Sequence, residues 1–403
     1  MSLHKDIFVS FVIISLVAPT FTFLNFSIPQ ILFFAIIFFY GVYSIMFKIN
    51  KEILIILNII FFFILLTFIL DYIRFQGSFD YDDRVIYNQV LNFFLALLVI
   101  FILTRRIEVK VIIDNIFFIL DIFTIVNIIL IILFIGDWDW ALKFLDFFYN
   151  KKMVSDYEGI NTLLDMNKVL KRPLGLFFGS NQLGFYGVFF FFLNLWRKHV
   201  QPKISLSKLY FFLLSSIFIL LTSQSRTAVI LFVVMNLALN FKKSVVVVFF
   251  LIALSRLNSL DSLDFRQLDL LSLEKLSEKF FSERLSYWIK FFYDWNNQDN
   301  PFWGFIRPKV SNKFYESGLL NMIAEMGLVF SLLFIFGILY LVYKIHFMIN
   351  FNEMKILRFL LYFTLVIEFF QGNFFAERMV VINAMIVCVI MKIANEKNVI
   401  MKL

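Results

Sequence analysis

Residues 111–135 read V-I-I-D-N-I-F-F-I-L-D-I-F-T-I-V-N-I-I-L-I-I-L-F-I, an almost continuous apolar run that is long enough to cross a lipid bilayer as one helix. Similar runs of about 17–25 residues recur along the 403-residue chain, which is 61% hydrophobic and 16% charged. A soluble protein has about 25% charged residues. Because helices satisfy their own backbone hydrogen bonds in lipid, the sequence predicts an all-α polytopic membrane protein.

Twelve apolar segments are predicted to cross the membrane and to form a single membrane domain over residues 1–403. The segments at 227–240 and 244–255 are short, so these helices could be tilted, or one of them re-entrant. The first segment lacks a small-residue cleavage site, which indicates an anchor rather than a removed signal peptide. The twelve segments cover residues 7–24, 29–47, 53–70, 86–103, 111–135, 182–196, 208–222, 227–240, 244–255, 319–343, 356–371 and 379–394.

The lysines and arginines of the short loops predict the orientation, because such residues concentrate on the cytoplasmic side of membrane proteins. Short loops that are rich in lysine and arginine alternate with short loops that are poor in them through all twelve segments. This alternation places both termini in the cytoplasm. Two long loops, about 136–181 and 256–318, are then extracytoplasmic. The short loops predicted on the outer side carry few cations, namely Arg74, Arg84, Arg226 and Arg378.

Composition argues against several other classes of function. The net charge of +8 comes from cations scattered in pairs at helix ends, so no nucleic-acid partner is expected. The single cysteine, Cys388, excludes a disulfide framework, and three scattered histidines argue against a metal site. The sequence has no glycine-rich nucleotide-binding motif, and its Asp-Trp-Asp triplet at 137–139 falls on the outer side, where nucleotide sugars are absent. A lipid-linked substrate and no cofactor fit better.

Arg226, in T-S-Q-S-R-T-A at 222–228, is predicted near the outer edge of the hydrocarbon, where an ionisable group is costly and usually has a partner. A phosphate or diphosphate is a natural partner, because the guanidinium group binds such oxygens bidentately. Ser223, Ser225 and Thr227 could add hydroxyl donors. The alternative is an arginine that reaches the interface and pairs with a carboxylate of another helix.

Arg172 precedes Pro173 and the turn G-S-N-Q-L-G at 179–184. Ser180 or Asn181 can cap the helix that follows, and a helix N-terminus favours anions. An anion-binding role for Arg172 is therefore one interpretation, and an ordinary arginine of a Gly/Pro turn is the other.

Arg84 and Arg378 are weaker candidates for substrate binding. Arg84 has three acidic neighbours in D-Y-D-D-R, and Arg378 directly follows Glu377. Local ion pairs are the simpler explanation of both positions, with substrate contact as the alternative.

Arg284 and Glu316 flank the aromatic part of the second long loop. A carboxylate near cations at the membrane surface can accept the proton of a sugar hydroxyl as a general base, and this is the role predicted for Glu316. Its alternative role is that of an acidic residue favoured by the dipole in the first turn of a helix. Tyr315 could stack on a sugar face or serve only as an aromatic residue of the interface.

Three stretches together resemble the O-antigen polymerase and ligase family of membrane glycosyltransferases. They are R-P-L-G-L-F-F-G-S-N-Q-L-G at 172–184, S-Q-S-R-T-A at 223–228, and R-L-S-Y-W…N-P-F-W-G-F…E-S-G-L-L-N-M-I-A-E-M-G-L-V at 284–329. Each stretch is short, and their order and spacing relative to the apolar runs carry the resemblance, which covers most of the chain.

The resemblance implies an enzyme of the bacterial cytoplasmic (inner) membrane that joins polyprenyl-pyrophosphate-linked oligosaccharides on the outer face, without metal or nucleotide. Arg226 would hold the donor diphosphate, with Arg172 and Arg284 as further phosphate or sugar contacts. Glu316 would deprotonate the attacking hydroxyl. The implied partners are these lipid-linked oligosaccharides and membrane lipids, and a chain-length regulator is left open as another.

Ligases of this family typically have a histidine where the proton acceptor stands, and no histidine of this chain is predicted outside, so a polymerase is favoured. Two alternatives stay open: a ligase that transfers glycan to lipid A-core, and a flippase for lipid-linked oligosaccharides. Transporters tend to have charged residues in mid-membrane and paired broken helices, whereas the unusual charges here cluster at the outer ends.

Overall fold

The structure is a computed structural model, and the part of the chain that it describes is mostly α-helical, as the sequence predicts. Within that part, two short strands, β1 (Thr22–Phe23) and β2 (Phe26–Ser27), pair antiparallel. The described residues are 2–17, 22–23, 26–27, 35–36, 85–104, 107–136, 138, 140, 143–145, 173–177, 180–239, 286–297, 302, 318–329, 331–333, 335–336, 356–357, 359–360 and 377–400.

The helices are named in chain order. They are α1 (Ser2–Val17), α2 (Val85–Thr104), α3 (Val109–Gly136), α4 (Ser180–Val200), α5 (Leu206–Thr222), α6 (Arg226–Leu239), α7 (Gly318–Met326) and α8 (Glu377–Ile400). A further helix covers residues 286–296.

Several predicted segments coincide with these helices. The segments at 86–103, 111–135, 182–196, 208–222, 227–240 and 379–394 match α2, α3, α4, α5, α6 and α8. The helix predicted at 7–24 ends earlier, at Val17, and Pro19 follows closely, which disfavours helix at the residue before it. The segment at 319–343 begins with α7, and its described residues up to 336 are largely helical. The segments at 53–70 and 244–255, and most of those at 29–47 and 356–371 and of both long loops, lie outside the described residues.

Among the described helices, α3 is the one that is both long and apolar enough to cross a membrane by length and composition. Shorter apolar stretches occur in α1, α2, α5, α6 and α8. The helical class is therefore confirmed, and the number of membrane spans stays a prediction.

The chain divides into two compact units, and the boundary falls inside α3. The first unit consists of Met1–Ile119, Ser286–Asn350 and Tyr362–Leu403. In it, α8 packs along α2, α1 packs against both, and α7 packs against α2. The Lys392 ammonium group donates a hydrogen bond to the carbonyl of Thr104, the last residue of α2, which satisfies one of the carbonyls that a helix end leaves without a partner.

The second unit consists of Leu120–Leu285 and Phe351–Leu361. Its centre is α4, which packs against α5 and α6. Aromatic rings fill the interior between α3, α4 and α5: the ring centroids of Phe123 and Tyr186 are 5.0 Å apart, those of Tyr186 and Phe190 5.6 Å, and those of Phe190 and Phe212 5.9 Å. Rings at such distances attract each other beyond the effect of area burial.

The exposed face of α3 changes character along the helix. Lys110 and Asp114 are exposed near its start, whereas the residues exposed beyond them are apolar (Phe118, Ile125, Ile129, Ile132 and Ile135). After the helix, Trp138 and Trp140 are exposed and their rings stack with centroids 5.9 Å apart. One side of α3 is therefore a long apolar stripe with charges at one end and tryptophans at the other.

A buried ion pair joins α3 to α4 at the opposite end of the second unit from these tryptophans. The guanidinium group of Arg197 binds both carboxylate oxygens of Asp121, at 2.7 and 3.0 Å, and both side chains are buried. The half-exposed ammonium group of Lys208 lies 3.1 Å from the same carboxylate. Both cations also lie over the Phe212 ring, at 5.7 and 5.9 Å from its centroid.

Replacing Asp121 with alanine should lower the free energy of unfolding by about 3–5 kcal/mol, because Arg197 would keep a buried charge without its carboxylate. Thermal unfolding of the purified protein measures this. The matched control is Lys208→Ala, since a half-exposed ion pair contributes about 1 kcal/mol or less. The double variant Asp121→Leu/Arg197→Met should recover most of the loss, and equal losses for Asp121→Ala and Lys208→Ala would contradict this account.

Candidate functional site

Hydrogen bonds of Ser223 stabilise the turn between α5 and α6. The N–H of Ser223 donates to the carbonyl of Ile219 at 3.0 Å, and its Oγ donates to the carbonyl of Leu220 at 2.7 Å. Gln224 follows with a φ of 53°, in the left-handed region. These local contacts end α5 and redirect the chain within a few residues.

Helix α6 begins at Arg226, and Ser225 is its N-cap. The Oγ of Ser225 accepts the N–H of Ala228 at 3.3 Å, and the N–H of Ser225 donates to the Oγ of Ser223 at 3.3 Å. Ser225 is fully buried, so its hydroxyl has a capping role, and its predicted substrate contact stays a prediction. Arg226 occupies the helix N-terminus, which favours anions; its side chain is outside the described part.

Two glycines of α4 allow this turn to pack tightly. A methyl group in place of the Gly184 hydrogen would lie 2.6 Å from Ser223 Oγ and 2.7 Å from Ser225 Cβ. At Gly187, a methyl group would lie 2.9 Å from the backbone nitrogen of Leu220. Contacts this short are steric overlaps, so α4 approaches the α5–α6 turn only because both positions lack a side chain.

The segment 173–177, which directly follows Arg172, is fastened to α3. The side-chain oxygen of Asn127 accepts the N–H of Leu176 at 2.8 Å, while its amide nitrogen donates to the carbonyl of Phe123 at 2.8 Å. Gly175 has a φ of 58°, and a side chain there would lie 2.4 Å from the Asn127 oxygen and 2.8 Å from Leu183. Glycine is required at this position for both reasons.

Two of the three family-like stretches therefore meet at the same end of α4. Gly175 of the first stretch packs against Leu183, and Gly184, one residue further on, packs against the serines of the second stretch. Both stretches belong to the second unit. The backbone at the start of α6 and the turn after Arg172 are thus neighbours of a single helix end.

The third stretch lies mostly in the first unit and contains the helix 286–296. Phe291 on this helix is buried against Ile323 and Ala324 of α7. The opposite side of the helix exposes aromatic residues, among them Phe292 and Tyr293. One face of the helix is therefore packed on α7, and another leaves large aromatic side chains exposed.

The other predicted site residues are placed only by their neighbours in the chain. Arg84 directly precedes α2, Glu316 stands two residues before α7, and Arg378 is the second residue of α8 with no side chain described. The remaining site residues predicted from the sequence, Arg172, Arg284 and Tyr315, also lie outside the described ranges, as do Arg84 and Glu316. Their roles stay predictions.

Sequence reasoning missed the polar residues that position the two stretches. Asn127 holds the 173–177 segment, and Thr124 shares a hydrogen bond of 2.7 Å with the buried hydroxyl of Tyr186. The available signal was their spacing: Thr124 and Asn127 recur on α3 at helical intervals with Asp121, inside an otherwise apolar run. Three polar residues on one stripe of an apolar helix indicate contacts within the protein.

Comparison with known proteins identifies no relative: no protein-family model, no curated protein and no solved structure matches the chain. Across the ranges that the structure covers, no three His, Cys, Asp or Glu side chains gather in a way that could hold a metal ion. The functional argument therefore rests on the three stretches and on the geometry of the second unit.

Replacing Gly184 with alanine should destabilise the protein by about 1–3 kcal/mol, because the added methyl group overlaps both serines of the turn. The matched control is Gly136→Ala, where a methyl group would meet only the side chain of Trp138, at 3.1 Å. Thermal unfolding of the purified protein compares the two variants. Partial recovery is expected for Gly184→Ala/Ser225→Gly, since glycine is tolerated as an N-cap. A Gly184→Ala variant as stable as the control would contradict the tight contact.

Proposed function

We propose that this chain is a polytopic protein of the bacterial cytoplasmic membrane with about twelve spans, two large outer loops and both termini in the cytoplasm. In this proposal it is an O-antigen polymerase, a metal-independent glycosyltransferase that joins polyprenyl-pyrophosphate-linked oligosaccharides on the outer face. The family assignment comes from the resemblance of the three stretches.

The observation that carries the proposal is the meeting of two of these stretches at the outer end of α4. Each stretch has one arginine in it, Arg172 and Arg226. Arg226 begins α6, so the dipole of α6 adds to its charge in attracting an anion. Two arginines near one helix end suit a diphosphate, which offers oxygens to more than one guanidinium group.

The surface of α3 supports a membrane location. Its exposed stripe from Phe118 to Ile135 is apolar and extends for about 25 Å at about 1.5 Å per residue, close to the thickness of a hydrocarbon core. The exposed Trp138 and Trp140 follow at the predicted outer surface, where tryptophan is enriched. A soluble protein would bury such a stripe.

The proposed reaction moves a glycan between two lipid carriers. The bond between the anomeric carbon of the growing chain and its diphosphate breaks, and a hydroxyl of the incoming repeat unit forms the new glycosidic bond. The hydroxyl proton passes to Glu316, and the diphosphate leaves with its carrier lipid. Arginines stabilise the charge that develops on this leaving group.

Purified protein in detergent with lipid-linked repeat units tests the reaction. A polymerase lengthens the glycan on its carrier without a second compartment, whereas a flippase leaves the length unchanged. A strain lacking the protein should make lipopolysaccharide whose core carries a single repeat unit. Long glycan accumulating on the carrier lipid in that strain would instead identify a ligase.

Arg226→Ala should reduce the rate of polymer formation about 100- to 1000-fold, as is typical when a group that stabilises developing negative charge is removed. Arg226→Lys should be intermediate, because lysine keeps the charge but loses the bidentate geometry. Lys203→Ala, an exposed position in the α4–α5 loop, is the control and should retain full activity. The measurement is the rate of glycan lengthening at equal amounts of folded protein.

Glu316→Gln should lower the same rate about 100- to 10,000-fold, the usual contribution of a general base. Polymer of normal length and rate from Arg226→Ala or Glu316→Gln would remove that residue from the mechanism.

A further inference from the structure

The first turn of α5 carries a lysine that is held in place and is still accessible. The ammonium group of Lys208 lies 3.1 Å from a carboxylate oxygen of Asp121 and 5.9 Å from the centroid of the Phe212 ring, and 48% of its side chain is exposed. Arg197 binds both oxygens of the same carboxylate. Two cations therefore share this carboxylate, and its single negative charge does not neutralise both.

The neighbouring helices add no negative charge of their own. No aspartate or glutamate occurs in the sequence between Asp165 and Asp261, so the charged residues of α4, α5 and α6 are all cations. An anion that approaches the exposed side of Lys208 is therefore attracted. Because Asp121 and Phe212 already restrict the lysine side chain, less conformational entropy is lost when an anion binds.

An exposed apolar stripe begins next to Lys208 and continues along α5. Phe211, Leu214 and Phe218 follow the lysine at intervals of three, three and four residues, which places all four side chains on one face of the helix. All three apolar side chains are exposed. From Lys208 to Phe218 the helix rises about 15 Å, half of the roughly 30 Å thickness of a hydrocarbon core. The stripe therefore has the length of one leaflet, with a cation at its end.

We propose that Lys208 and this α5 stripe bind an anionic phospholipid of the cytoplasmic leaflet, with the phosphate at the ammonium group and an acyl chain along Phe211, Leu214 and Phe218. This inference rests on the membrane location in the proposed function and needs no glycosyltransferase activity. In the proposed orientation α5 begins at the cytoplasmic surface, where anionic headgroups attract basic side chains. A phospholipid matches both parts of the surface, because it joins a negative headgroup to an apolar chain.

The preference for an anionic lipid is measured by quenching of a bimane fluorophore at Tyr210→Cys, an exposed position beside the stripe. The background is Cys388→Ala, because Cys388 is the single cysteine. The purified protein is reconstituted in phosphatidylcholine vesicles with a minor fraction of lipid that has a nitroxide on its acyl chain, either phosphatidylglycerol or phosphatidylcholine. We expect phosphatidylglycerol to quench at about fivefold lower mole fraction, the effect of one lysine near the membrane surface.

Bimane at Ile129→Cys gives the reference. Ile129 is exposed on the apolar stripe of α3, away from Lys208, so both nitroxide lipids should quench it equally. A preference at Ile129 as large as at position 210 would indicate anionic lipid all around the protein and would overturn the site. Equal quenching by the two lipids at position 210 would overturn it as well. Quenching by neither lipid would show that water or a second copy of the chain covers the stripe, which also contradicts the proposal.

Lysine variants distinguish a site from the general positive charge of this region. Lys208→Ala should abolish the preference at position 210, whereas Lys208→Arg should retain it because the positive charge remains. Lys203→Ala is the matched control, since Lys203 is an exposed cation of the loop before α5 and lies outside the proposed site. It should keep at least half of the preference. Equal losses in Lys203→Ala and Lys208→Ala, or a complete loss in Lys208→Arg, would overturn the site.

A soluble phosphate is the other source of the same anionic group. Glycerol phosphate added in excess over the nitroxide lipid should leave the preference at position 210 unchanged, because it has no acyl chain to contact the stripe. Loss of the preference would identify a site for free phosphate and would contradict a lipid site.

The proposed function and the lipid site fail separately. The quenching needs no glycan substrate, so a protein that prefers phosphatidylglycerol at position 210 but lengthens no glycan would contradict the glycosyltransferase alone. An active protein with equal quenching by both lipids would contradict the lipid site alone.

Discussion

The contact between α4 and the α5–α6 turn is the constraint on which the candidate site depends. Gly184 and Gly187 present no side chain, so Ser223, Ser225 and the backbone of Leu220 approach α4 more closely than any larger residue would allow. Small residues at a helix interface let the two backbones approach closely. The same contact sets where Arg226 begins α6.

Polar interactions along α3 connect it to its neighbours in the second unit. The Asp121–Arg197 pair joins α3 to α4, and six residues further along α3 Asn127 binds the segment after Arg172. Between them Thr124 and Tyr186 share a buried hydrogen bond. These contacts involve polar residues on one side of α3, whereas the neighbouring exposed stripe is apolar. The same helix therefore carries the polar contacts of the interior and an exposed stripe that is mostly isoleucine.

Sequence reasoning predicted the helical class and the approximate bounds of α2 to α6, because long apolar runs bounded by polar turns indicate helices rather than strands. It also selected the stretches at 172–184 and 223–228, and their meeting at α4 was not foreseen. Periodicity does not report which faces of different helices touch. The capping role of Ser225 was not predicted either. It accompanies a φ of 53° at Gln224, a backbone conformation that cannot be predicted from the serine-rich sequence of the turn.

The central claim is that the Arg226 turn faces the outside of the cell, and the sidedness of its neighbour Asn181 tests it most directly. With Asn181→Cys in a cysteine-free background, a membrane-impermeant maleimide applied to spheroplasts should label the protein, whereas Lys203→Cys should react only in inverted membrane vesicles. If Asn181→Cys reacts only in inverted vesicles, the turn faces the cytoplasm, and the account of a diphosphate held on the outer face is contradicted.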